Sequence, residues 1–87
     1  MKKTICIGDA VQSIQGRDTG KVYIVLNVDC DYVRLANGFD KHCNSPKKKN
    51  VKHVRLIKQG VLDPLTIKSA TDLNAKLHFV VAQIKGN

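Results

Sequence analysis

The chain has 87 residues, enough for one domain that buries roughly 60–65% of the surface its unfolded chain exposes. That size excludes a deep cleft between two domains. Fifteen Lys and Arg against seven acids give a net charge of +8, which points to a polyanionic partner, and no run approaches the roughly 20 apolar residues of a membrane span.

The first segment, "TICIGDAVQSIQ", has strand composition and ends at Gly16. In "KVYIVLNVD" the apolar residues Val22, Ile24, Leu26 and Val28 recur at a spacing of two, with Tyr23, Val25 and Asn27 between them. This alternation predicts a strand with one buried face and one partly covered face. "DCD" supplies turn residues. "YVRLAN" follows, with Val33 and Leu35 on one face and Tyr32 and Arg34 on the other. Asn37-Gly38 is a hairpin dipeptide, because both residues tolerate positive φ. "FDKHC" then reads as a short strand, "NSPKKKN" as a loop and "VKHVRLI" as a further short strand.

About five short strands joined by tight turns predict a mainly β fold, a small barrel over residues 1–58. Closure removes exposed edges. "QGVLDPL" contains Gly60 and Pro64 and opens a linker over 59–70. Residues 71–86 read as a C-terminal helix. Thr71 is its N-cap, Asp72 lies in the first turn, and Lys85 and Gly86 suit its end. Leu73, Leu77, Val80, Val81 and Ile84 share one helical face, which predicts packing against the barrel.

The charge is not spread evenly. Residues 1–40 carry five basic and five acidic side chains, whereas 41–58 carry seven basic and no acidic ones. A solubility device predicts interspersed charge, and clustering favours polyanion capture. Lys41, Lys47, Lys48, Lys49, Lys52, His53 and Arg55 fall in this segment. Lys47, Lys48 and Lys49 read as flexible ammonium groups on a loop, suited to phosphate contacts. Lys52, Arg55 and Lys58 follow at a spacing of three, which strand alternation cannot place on one face, so irregular geometry is expected there. Five neutralised phosphates imply a slope of log K against log salt of about −3.5 to −4.5.

"QGRDTGKVYIV" resembles part of a phosphate-binding loop and fails as one. Gly16 and Gly20 are one residue too close, Val22 stands where a hydroxyl is needed, and a strand follows instead of a helix. The same residues suit a turn, with Gly16 and Gly20 at positive φ and Arg17, Asp18, Thr19 and Lys21 pointing outward.

Cys6, Cys30 and Cys43 form no disulfide framework and read as free thiols acting as small buried hydrophobes. With the short apolar stretch at the N-terminus, this fits a reducing cytoplasmic setting. Cys30, His42, Cys43 and His53 lack the paired spacings of a zinc site, so no metal is expected. Nor does a cysteine nucleophile with its base emerge. Tyr23 and Tyr32, opposite the apolar positions, fit cross-strand packing with rim hydroxyls or stacking on unpaired bases. Arg34 suits a phosphate or a base plane.

"GDAVQSIQGRDTGKVYIVLNV" resembles the KOW motif, through Gly8-Asp9, Val11, Gly16, Asp18, Gly20-Lys21 and the alternating run. "YVRLANG" and "SPKKKNVKHVRLI" are similar to later strands of KOW barrels in archaeal and eukaryotic large-subunit ribosomal proteins and in short bacterial KOW proteins. The resemblance covers roughly residues 5–58 and not the C-terminal helix. It implies an SH3-like barrel that binds RNA, often ribosomal RNA, without catalysis, cofactor or small-molecule substrate. The expectation is therefore a monomeric, non-enzymatic, ribosome-associated RNA-binding protein. The alternative is a protein-interaction module of the transcription or translation machinery.

Overall fold

In the computed structural model, residues 4–69 and 71–85 are described, so Gly86 of the expected helix end lies outside them. Five antiparallel strands form one sheet: β1 (Ala10–Ser13), β2 (Val22–Val28), β3 (Tyr32–Ala36), β4 (Lys47–Asn50) and β5 (Val54–Lys58), in the order β4-β3-β2-β1-β5. A 3-10 turn, Val51–His53, joins β4 to β5, and helices α1 (Pro64–Ser69) and α2 (Leu73–Lys85) follow. The architecture is a small, mainly β, barrel-like domain with a C-terminal helix.

The sheet is buried on both faces near its centre. Val11, Tyr23, Val25, Val33, Leu35 and Val54 fill the interior of the curved sheet. Ala10, Val22, Ile24 and Ala36 on the outer face are covered by Leu73, Leu77 and Val81 of α2. The helix therefore caps the outside of the sheet with the apolar face its spacing implies. β2 supplies both cores, which is why its first four residues are all enclosed. The alternation at Val22 and Ile24 marks the helix-facing side, and Tyr23 points into the barrel, opposite to the orientation expected for it.

The β1–β2 loop turns at Gly16 and Gly20, whose φ angles of +92° and +94° suit glycine as the sequence implied. Asp18 does not point outward. It is buried beneath the loop.

The connection from β3 to β4 differs most from expectation. Asn37-Gly38 does not make a two-residue hairpin, because no non-glycine residue among those described has positive φ. Residues 37–46 form a long loop instead, and 39–43 contain no strand. The Asn37 side chain organises this loop: its Oδ1 accepts from the Phe39 and Lys41 N–H groups and its Nδ2 donates to Asp40 Oδ1. The Cys43 N–H donates to Asn74 Oδ1 at 2.8 Å, pinning the loop to α2. The strand that pairs with β3 is the lysine run itself.

The segment expected as a linker is tethered. The Gly60 N–H donates to Asp9 Oδ1 and the Leu62 N–H to the Gly8 carbonyl. Asp63 then caps α1 by accepting from the Leu65 N–H at 2.8 Å, with Pro64 at the first helical position. α2 starts at Leu73, so its cap falls on Asp72 and not Thr71, and the Lys76 N–H donates to the Asp72 carbonyl at 3.3 Å.

The cysteines divide, and only Cys43 packs against a core cluster, the helix-facing one. Cys6 and Cys30 are exposed and Cys43 is half-buried.

Candidate nucleic-acid interface

Strand alternation divides the lysine run. Val33 pairs with Lys49 and Leu35 with Lys47, so both lysines point to the interior side with the apolar residues of β3. Arg34 pairs with Lys48, and both face outward.

Lys49 is 9% exposed, and its ammonium donates to the Gln15 carbonyl at 2.8 Å and to Asp18 Oδ1 at 3.0 Å. Ser13 Oγ and the Tyr23 hydroxyl each donate to Asp18 at 2.8 Å. Lys47 lies 3.9 Å from Asp18 Oδ2. Burial alone would raise the Asp18 pKa, but the hydrogen bonds from Lys49, Ser13 and Tyr23 outweigh it and hold the carboxyl well below the usual range. Burial and the bond to Asp18 push the Tyr23 hydroxyl well above its ordinary value. Lys49 is thus a buried ion-pair partner on β4, and not the solvated loop ammonium that the sequence suggested. Tyr23, enclosed and bonded, offers no surface to a base.

Lys21 and Asp40 form an exposed pair at 2.7 Å. Lys21 and Asn37 lower the Asp40 pKa to about 2, and the hydrogen bond to Asp40 raises that of Lys21. Such an exposed pair is screened by solvent and competes weakly with a phosphate.

Among the described residues, the ion pairs are Lys21–Asp40, Lys47–Asp18 and Lys49–Asp18. The exposed Arg17, Arg34, Lys48, Lys52 and Arg55 have no acidic partner there. The register brings Arg34 and Lys48 together on the outer face, beside Tyr32. Arg55 lies on β5 at the other end of the strand order, donating to Gln12 Oε1 at 2.6 Å. Lys52 and His53 occupy the 3-10 turn, the irregular geometry that the spacing of Lys52, Arg55 and Lys58 implied. Arg17 projects from the β1–β2 loop, and Lys41 is half-buried in the β3–β4 loop.

Among the described residues no three of His, Cys, Asp and Glu converge as metal ligands. No helix there is long and apolar enough to cross a membrane.

Sequence reasoning missed Asp18 because its partner is 31 residues away. Compared with protein-family models and with curated proteins, the chain matches none.

Proposed function

We propose that this protein is a non-catalytic RNA-binding protein, of the KOW type that its sequence resembles, acting on ribosomal RNA as a ribosome-associated factor of the cytoplasm. The observation that carries this reading is the pairing of Arg34 and Lys48 on an open stretch of sheet, neither engaged by an acid among the described residues. Two cations held side by side on rigid strands bind successive phosphates without first breaking an internal ion pair. Lys52 in the 3-10 turn, Arg17 in the β1–β2 loop and Arg55 on β5 add further exposed charge. Binding is electrostatic, so it weakens steeply with salt. The test is fluorescence anisotropy with a labelled structured rRNA fragment over a salt series, together with sucrose-gradient sedimentation of lysate. Salt-sensitive binding and co-migration with ribosomal particles support the reading.

A second reading has its own observation. Between α1 and α2 lies an open groove of about 420 Å³ whose apolar floor of Leu62, Ala75, Phe79 and Val80 is flanked by Thr66, Asp72 and Lys76, with Phe79 63% exposed. This apolar surface fits a protein-interaction module. Salt-insensitive retention of one protein partner, with no retained RNA, favours it over RNA binding.

A further inference from the structure

We propose that the outer face of β3 and β4 is a stacking platform for an unpaired nucleotide of single-stranded RNA, with Tyr32 beneath the base and Arg34 and Lys48 on the adjoining phosphates. This rests on the RNA-binding reading and names the form of RNA that the face takes.

α2 covers the outer face only over Ala10, Val22, Ile24 and Ala36. Tyr32 begins β3, four residues before Ala36, and lies beyond that cover at 42% exposure. Among the described residues its hydroxyl has no hydrogen-bond partner. The contact the ring does make is with the Lys48 ammonium, 4.5 Å from the ring centroid. The Tyr32 ring belongs to neither buried cluster, and what lies over its face is a mobile ammonium.

Base stacking on an aromatic outweighs an exposed cation–π contact, so an incoming base displaces the ammonium. The Lys48 charge then turns to the phosphate that arrives with the base. Arg34 stands two residues from Tyr32 on the same face and opposite Lys48 in register. Two residues of strand span about 6.6 Å, so Arg34 stands within the base-to-backbone reach of a nucleotide stacked on Tyr32. One ring and two cations therefore match one nucleotide step.

Paired bases cannot use this platform. Their faces are covered by neighbours in the helix, and reaching one requires unstacking. The face also reads little base identity. Stacking there is sequence-tolerant. Asp29 and Asp31 flank the β2–β3 turn and repel phosphate, which directs the strand from Tyr32 toward Arg34.

The test compares the wild-type chain, Tyr32→Phe and Tyr32→Ala, each with a labelled oligouridine and with a blunt RNA duplex. The chain has two Tyr and no Trp, and Tyr23 is enclosed, so quenching of tyrosine emission by oligouridine reports Tyr32. Tyr32→Ala is expected to weaken oligouridine binding about tenfold while leaving duplex affinity and the salt slope unchanged. Tyr32→Phe keeps the ring and the affinity. Oligouridine binding by Tyr32→Ala equal to wild type, with RNA binding otherwise intact, overturns the platform and leaves the RNA-binding reading standing. Wild type that binds neither RNA, or binds only an acidic peptide, overturns both.

Discussion

The Lys49 ammonium donates to Asp18 Oδ1 at 3.0 Å inside the barrel, fastening the edge strand β4 to the β1–β2 loop. Three further groups meet the same carboxylate: Ser13, Tyr23 and, more distantly, Lys47. Among the described residues no buried side-chain nitrogen or oxygen lacks a partner. A buried pair with every polar atom satisfied is costly to break on one side. Lys49→Met is therefore expected to destabilise the fold by about 3–5 kcal/mol, toward the lower end because Lys47 is near. Lys48→Ala, one residue away and exposed, should stay within about 0.5 kcal/mol. Urea unfolding separates the two. A cycle with Asp18→Asn should show the double variant losing less than the sum of the singles.

The same network sets a pH response at both extremes. The Asp18 pKa is depressed in the folded state, so its contribution is complete above the ordinary carboxylate value of about 3.9 and is lost as pH falls below it. The Tyr23 pKa is raised, so its contribution is complete below about 10 and is lost as pH rises above it. Thermal melts should show a plateau between these limits and falling Tm outside them. Asp18→Asn should flatten the acid limb and, because the Asp18 charge also raises the Tyr23 pKa, soften the alkaline limb as well.

Gly38 separates turn strain from packing. Its φ is +77°, and a Cβ there would collide with the backbone of Asn74 and His78 on α2. Gly20 has a similar φ of +94° but open space around it. Gly20→Ala should cost about 1–2 kcal/mol from backbone strain alone. Gly38→Ala should cost more and displace α2, seen as new amide exchange at Leu77 and Val81 without matching loss in β1.

Asp40 restrains a cation that the sequence marked for RNA. Its pair with Lys21 is exposed, so removing the acid frees the ammonium at little cost to stability. Asp40→Asn should strengthen RNA binding modestly and steepen log K against log salt by about 0.7–0.9, one added phosphate contact. Unchanged affinity and slope would place Lys21 outside the interface.

Much of the fold could be read from the chain. The strand of Val22 to Val28, the inward Val33 and Leu35, and the apolar helix face all follow from periodicity. The turn glycines follow from their spacing. What misled was local chemistry overridden by distant partners. Lysine-rich "KKKN" has poor strand character, yet it forms β4 because Asp18 neutralises its inward ammonium groups and β3 supplies a paired edge. Asn37-Gly38 looks like a tight turn, yet the Asn37 side chain builds a wider loop docked on α2. The Asp63-Pro64 cap was legible and was hidden by reading Pro64 as a linker residue. For the site, clustering of charge was visible, but only the register tells Lys48 from its neighbours.

Arg34 and Lys48 are expected to capture RNA phosphates from the open sheet face. Anisotropy of an rRNA fragment against salt, for wild type and Arg34→Ala/Lys48→Ala, tests this most directly. With five phosphates neutralised, wild type should give a slope of about −3.5 to −4.5, and the double variant a slope shallower by about 1.4–1.8 with weaker binding. Circular dichroism should show the fold unchanged. A folded double variant with wild-type affinity and slope would contradict the account.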